Sequence, residues 1–433
     1  MAALNSVNPI SHVASYYAAT ANQHIEYPAL QGDIHCDICV VGGGSGGVST
    51  ALELAEKGFS VTLLEGGKIA WAASGRNGGQ VNGGWNQNSD SMITQYGKEV
   101  ANLFWSMALE GKKIIHDRIN KYHIDCDYVA GYLSVATRPR HLREIEEFAD
   151  YRARWGYPDE MTILSKNDLA NYIGSERYLG GIADAGDGHL HPLNLMMGEA
   201  KAATQLGVKI FEQTRVNSID YGDTVTLHTN NGRVLAKQVA LCGNCDLGKT
   251  VPSLTSKIMP AGTYIIATEP LGEKQARQLL PTNAAVCDLN YVLDYFRTTK
   301  DNRLLFGGLV AYTGKEPHNF PSRLRHSMLK TFPQLKDAKI DFSWGGNIDL
   351  SVTRMPHLGR VSNNVFYMQG FSGHGVVPTR IAGRIMAEML AGQATRFDLW
   401  NKLKHYTFPG GQLLRFPALL LGTTWYRLRD LLG

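Results

Sequence analysis

Residues 34 to 65 read IHCDICVVGGGSGGVSTALELAEKGFSVTLLE, and this stretch decides the fold. Ile34 to Val41 is a short apolar run with an immediate glycine stop, the pattern of a central parallel strand. Gly42, Gly44 and Gly47 then satisfy G-x-G-x-x-G. Val48 to Lys57 carries Val48, Leu52 and Ala55 on one helical face, and Gly58 supplies a left-handed end. A second strand, Phe59 to Leu64, stops at Glu65. Gly42 permits the tight turn, Gly44 lets the backbone approach a pyrophosphate, and Gly47 lets helix and strand pack closely. The pyrophosphate would rest on the free N–H groups at the helix start. Glu65, placed for the ribose hydroxyls, completes a dinucleotide-binding unit.

Composition agrees with a folded chain long enough for a sizeable core. Of 433 residues, 44% are hydrophobic and 19% charged, which excludes a disordered chain. Forty-three basic against 39 acidic side chains leave +4, too little for a nucleic-acid footprint. Glycine is the surplus residue: 46 of 433, against a usual share of roughly 7%. Thirteen of them fall between Gly42 and Gly84, where they trace a path of bare backbone. Met1 to Gln31 reads as a polar lead-in without a signal-peptide pattern. No run approaches the roughly 18 apolar residues of a spanning helix. The six cysteines do not form a disulfide framework, so the cytoplasm is the expected setting.

Cys36-x-x-Cys39 and Cys242-x-x-Cys245 have zinc-knuckle spacing. Strand residues three apart point to opposite faces, however, so these read as buried free thiols. His189 and His191 also look metal-like, but they would share a strand face just before a helix start. No metal is expected.

The dinucleotide is decided further along. Ser74-Gly75-Arg76-Asn77-Gly78-Gly79-Gln80, followed by Asn82-Gly83-Gly84-Trp85, is a second glycine-rich segment able to lie against a phosphate or a flat ring. A nicotinamide enzyme has no need of it; a flavin, clamped along its length, does. Phe211 to Asp220 reads as one strand with Val216 midway, after a helix opened by Pro192 and ended by Gly207. Val365 to Gly375 (VFYMQGFSGHG) repeats strand and glycine turn, and a helix follows from Pro378 to Leu390. Its dipole would face the end of the flavin that gathers negative charge on reduction.

VVGGGSGG, the strand ending in LLE, ASGRNGGQ and QGFSGHG together resemble the D-amino-acid oxidase superfamily of FAD enzymes. LDYFR…LLFGG (Leu293 to Gly308) and the tail FPGG…WYRLRDLL (Phe408 to Leu432) are similar to its gamma-glutamylputrescine oxidoreductases and related bacterial amine oxidases. The resemblance implies a bound FAD, with Gly42, Gly44, Ser45 and Gly47 at the pyrophosphate and Glu65 at the ribose. It places the Val216 backbone at the adenine and Ser74, Arg76, Asn77, Gly78, Gly79 and Gln80 along the stretch toward the flavin. Gly373, His374, Gly375 and Val376 would close on the ring. Some relatives attach FAD through a late cysteine; here none follows Cys287, so a noncovalent flavin is expected. Sarcosine-oxidising relatives place a lysine beside the ring where this chain has Leu305, which leaves oxygen and another electron acceptor both open.

The expected architecture is α/β: a discontinuous Rossmann-like FAD domain (30–90, 187–255, 345–395) and an antiparallel-sheet substrate domain (91–186, 256–344). A helical extension (396–433) follows. Alternating residues in 285–310 mark antiparallel strands that would roof the flavin, with substrate at the domain interface. Trp85, Tyr264, Tyr291, Phe296 and Trp344 are candidate substrate contacts, and Tyr295 joins them in an aromatic box suited to an amine. Arg297 is the candidate clamp for a substrate carboxylate. Asp294 or Glu269 would attract an ammonium, and His374 is a flavin contact or base. The apolar Phe416 to Leu432 reads as a docked helix, with a membrane interface as the other possibility.

The expected reaction is oxidation of a C–N bond, with hydride passing to flavin N5 and the imine hydrolysing to an aldehyde, on gamma-glutamylputrescine or a related amine. Two rivals stand beside it. One is a D-amino-acid or N-methyl-amino-acid dehydrogenase feeding a membrane carrier, which requires a strong carboxylate clamp. The other is a non-catalytic flavin-binding protein, whose flavin no amine would reduce.

Overall fold

In the computed structural model, which describes residues 10–87, 89–248, 250–311 and 316–408, the opening stretch forms strand Ile34–Val41, helix Ser45–Glu56 and strand Val61–Leu64. The helix starts three residues before its apolar pattern because Gly44 is its N-cap, so half the glycine motif is already helical. Every residue from Ser45 to Ala55 is buried. The helix lies under the sheet and against helices Pro192–Gln205 and Pro378–Leu390, so no face is left for solvent. The latter helix has the predicted bounds, preceded by strand Val365–Gln369.

Among the described residues, eight strands make the first sheet. Its main path runs His357–Ser362, Val365–Gln369, Arg233–Leu241, Ile34–Val41, Val61–Leu64 and Lys209–Phe211. The last five are parallel, which buries both faces and explains their continuous apolar runs. The segment 211–220 is not the single strand expected. Lys209–Phe211 ends on this sheet, and Ser218–Asp220 pairs instead with Val225–His228. Gln213 at φ +50° turns the chain between them. A second difference lies in the first strand. The N–H groups of Asp37 and Ile38 both donate to the Ser60 carbonyl, a bulge that shifts the alternation by one. Cys36 and Cys39 therefore share one side, packed in the same cluster with their thiols in hydrogen-bond contact, rather than opposite faces. All six cysteines are free.

The second sheet has nine strands and is antiparallel, except where Ala285–Asp288 runs beside Val129–Ala136. The predicted antiparallel strands in 285–310 are Ala285–Asp288, Tyr295–Thr298 and Leu304–Ala311. Gln80–Val81 forms the edge beside Gly180–His189, so the second glycine-rich segment runs from the first sheet into the second. Strands Gly180–His189 and Ile340–Ser351 lie wholly in this sheet, although the expected boundaries at 187 and 345 cut through them. Beyond helix Thr395–Asn401, with Phe397 and Trp400 fully buried, the tail 409–433 lies outside the described residues. Among those described, no helix is long and apolar enough to cross a membrane.

An ion network ties the helices beneath the nucleotide turn. Glu199, fully buried, pairs with Arg118 (3.0 Å) and Arg380 (2.8 Å), and Glu53 pairs with Arg118 (2.9 Å) and Arg384 (2.9 Å). The two arginines hold the Glu199 carboxyl below the usual range against its burial.

Candidate functional site

The first glycine turn is built for close approach. Gly42 has φ +110°, and a Cβ there would sit 2.8 Å from the Cys242 carbonyl carbon. A Cβ on Gly47 would overlap the Gly42 oxygen. Glu65, half-buried just past the second strand, accepts from the amides of Gly43 (2.6 Å) and Gly67 (2.7 Å). Burial raises its pKa, while those two amides pull it back down. The next turn, Gln213 to Val216, bonds back onto the Glu65 and Gly67 carbonyls. Buried Val216 follows there, its carbonyl accepting from Thr250.

Ser74 joins the two glycine segments: its Oγ accepts from the Ser45 amide at 2.9 Å. Arg76 donates from Nε to the Trp71 carbonyl (2.7 Å) and from Nη1 to that of Gly345 (3.2 Å). Its Nη2 is buried without a partner among the described residues. Asn77 donates to the Ala73 and Ser74 carbonyls and accepts from the Gly79 amide, so its side chain shapes the loop and leaves only backbone for a ligand. From the second sheet, Trp344 donates to the Arg76 carbonyl (2.9 Å), Arg297 to that of Gly78 (2.8 Å), and Gln80 donates across to Val286 (3.3 Å). Tyr295 lies against Gly78, where a Cβ would come within 2.7 Å of its ring. Burial raises its phenol pKa, so it is neutral.

The late turn is pinned by a residue no motif announced. Asp349, buried in strand Ile340–Ser351, accepts from the amides of Gly370 and Phe371, and its carbonyl accepts from Ser372. Gly373 (φ +79°), His374, Gly375 and Val376 follow. His374 Nε2 is buried without a partner among the described residues, and burial lowers its pKa to about 4, so the ring is a neutral imidazole. It lines a cavity of about 340 Å³ between this turn and the second sheet, with Asn82, Tyr132, Arg152, Asp184, Asp187 and Asp288. Burial raises Asp288 to about 7 and Asp187 to about 6.

Several predicted contacts lie elsewhere. Arg297 is no carboxylate clamp: its five N–H groups face Gly78 O, Thr298 O, His189 Nδ1, the Tyr17 hydroxyl and Leu190 O, leaving none for a substrate. Trp85 donates to the Phe104 carbonyl and packs edge-on to Phe104 and Trp400 in the core. Phe296 stacks on Phe306 with Phe332 at its edge, and Tyr264 lies against Phe320, so both serve the second core. Trp344 holds the Arg76 loop through its N–H. Tyr291 is 48% exposed at the surface, under Arg140. Asp294 is paired with Arg177 (3.0 Å), and Glu269 caps the Lys339 amide. Leu305 packs in the cluster of Trp344 and Tyr295. His189 bonds the Asn283 carbonyl and His191 caps helix Pro192–Gln205. Among the described residues no three potential ligands group to hold a metal ion.

A dinucleotide fits this track. Its walls are positions where a Cβ would clash, and the unpaired Arg76 Nη2 is the donor a phosphate or ring oxygen would satisfy. The fold and the track define a two-sheet FAD-dependent oxidoreductase. A sequence model of the family described as FAD dependent oxidoreductase matches residues 37–389. The gamma-glutamylputrescine oxidoreductase of Escherichia coli (strain K12) is 46% identical over 98% of this chain and 99% of its own. A probable oxidoreductase of Haemophilus influenzae is 39% identical over 97% of each. The crystal structure of glycine oxidase from Geobacillus kaustophilus superposes with a TM-score of 0.73 at 21% identity, covering 86% of this chain and 99% of that one. The chain belongs to the D-amino-acid-oxidase-type family of FAD-dependent oxidoreductases.

Proposed function

We propose that this chain oxidises the primary amine of gamma-glutamylputrescine, or of a closely related polyamine-pathway amine, to an aldehyde and ammonia. The observation that carries the reading is the 46% identity, over nearly the whole of both chains, to the Escherichia coli gamma-glutamylputrescine oxidoreductase. Gly42, Gly44, Ser45 and Gly47 would hold the FAD pyrophosphate, with Glu65 at the ribose, Val216 at the adenine, and Ser74 to Gln80 with Gly373 to Val376 along the flavin. The bound FAD, noncovalent here, supplies the acceptor for the hydride that leaves the amine carbon.

The protein's part is to select and position the amine. Three carboxylates in the cavity wall, Asp184, Asp187 and Asp288, favour an ammonium. Neutral His374 offers Nε2 as a hydrogen-bond partner without adding a positive charge that would repel the substrate. The D-amino-acid reading is disfavoured because the relative that is 46% identical over nearly the whole of both chains is an oxidoreductase of gamma-glutamylputrescine. Oxygen or another acceptor then takes the electrons, and the setting is the cytoplasm.

The test is anaerobic titration of the purified protein with gamma-glutamylputrescine, putrescine, sarcosine and D-alanine, following loss of flavin absorbance. Bleaching by gamma-glutamylputrescine at the lowest concentration supports the reading; no bleaching by any amine overturns it. Peroxide formation on readmitting air separates oxygen from other acceptors. Release of all the yellow colour on acid precipitation checks that the flavin is noncovalent.

A further inference from the structure

Arg297 is excluded as the anchor for an anionic group, yet the cavity beside His374 contains another arginine. Arg152 closes helix Pro139–Arg154, and its side chain is 6% exposed. The guanidinium lies over the Tyr157 ring at 4.1 Å, with Phe148 at 4.9 Å, and Nη2 donates to the Gly83 carbonyl at 3.1 Å. Nη1 has no hydrogen-bond partner among the described residues. A buried guanidinium edge without an acceptor costs stability, so it marks a place where something else supplies the acceptor.

The neighbouring charges define what that is. Asp184 Oδ2 stands 4.0 Å from Arg152 Nη1, too far for a hydrogen bond. Asp184 commits its other oxygen to Tyr157 Oη (3.0 Å) and the amides of Gly186 (2.9 Å) and Asp187 (3.3 Å), which fixes the carboxylate in place. Asp187 is held in turn by Lys112 (3.4 Å) and the Gly83 amide (3.1 Å). A cation edge and an anion edge thus face the same cavity side by side, spaced for the carboxylate and ammonium borne on one carbon. At another part of its lining stand Asp288 and Asn290.

We propose that Arg152 and Asp184 form a subsite for the α-amino-acid head of the substrate, Arg152 taking its carboxylate and Asp184 its ammonium. This deepens the proposed function and rests on it: the cavity reads both ends of a molecule that carries an amine at one end and a zwitterion at the other. Selection then comes from the far end of the substrate, while the reacting amine stays generic.

The experiment compares gamma-glutamylputrescine with N-acetylputrescine, which keeps the amide and the amine but lacks the head, in holoenzyme carrying Arg152→Met, Arg152→Lys or Asp184→Asn. The wild type prefers the gamma-glutamyl compound in kcat/KM. Arg152→Met reduces that preference about 10- to 100-fold, mostly through KM, and Arg152→Lys recovers part of it. Should Arg152→Met fail to fold or retain flavin, gamma-glutamylethylamide, which carries the head without a reactive amine, is tested on the wild type. It competes with substrate where N-ethylacetamide does not. A preference unchanged in the folded variants, or no competition by the head alone, overturns the subsite. Failure of every amine to reduce the wild-type flavin overturns the proposed function instead, so the two outcomes are distinct.

Discussion

At Gly47 a single hydrogen atom separates function from its loss. A methyl group there would occupy the space of the Gly42 oxygen, which is backbone and cannot move aside without opening the turn. Gly47→Ala is therefore expected to abolish FAD retention, read as the flavin-to-protein absorbance ratio after purification, while far-ultraviolet circular dichroism keeps its native shape. The residue scale is also where sequence reading fared least well. Arg297, Trp85 and Phe296 have the right chemistry for a substrate pocket, but chemistry does not say which way a side chain faces. Arg297 turns all its donors inward, and Phe296 stacks in the second core. Arg152 lies at the end of an amphipathic helix of mostly exposed residues, where nothing in the local pattern distinguishes it from a solvated arginine.

Elements whose logic is local were legible almost to the residue. Strand Ile34–Val41, helix Pro378–Leu390 and the antiparallel strands after Ala285 all have short apolar patterns bounded by glycine or proline. The bulge at Asp37 and the split of 211–220 were not, because each depends on a partner strand that the local sequence does not specify. The helix layer was equally hidden. Glu199 reads as an ordinary helix residue, yet it is fully buried between Arg118 and Arg380. Glu199→Ala leaves two buried guanidinium groups without their shared anion, and a loss of about 3–5 kcal/mol is expected in urea unfolding. Glu199→Gln, which keeps hydrogen-bond acceptance, should lose less. Equal losses in the two variants would show that charge, not packing, holds this layer.

Across the whole molecule, buried histidines give stability a definite pH dependence. Burial lowers His189, His191 and His357 to about 3, and His12, His374 and His405 to about 4, against 6.5 when unfolded. Between those values the unfolded chain binds more protons than the folded one, so stability is complete above about 6.5 and falls as pH drops toward 3. Asp288, Asp187, Glu65, Asp246, Asp294 and Asp349, raised by burial, act in the opposite sense, while His116, lowered by burial, makes a seventh histidine and leaves the sign with the histidines. The Tm is expected to fall steadily from pH 6.5 to 4.5. His191→Asn, which keeps an acceptor at the helix cap, should make that fall shallower.

Two donations from one sheet hold the backbone of a segment that begins on the other, Trp344 to Arg76 and Arg297 to Gly78, and Gln80 of that segment donates back to the Val286 carbonyl. The first two fix the directions of the Arg76 and Gly78 carbonyl dipoles. With the flavin along Ser74 to Gln80, as proposed, the second sheet acts as a tuning element as well as a roof. A substitution such as Trp344→Phe, which keeps the ring and deletes one N–H, frees the Arg76 carbonyl to reorient. The midpoint potential of the flavin, measured against a reference dye, would then move even though no residue touching the amine had changed.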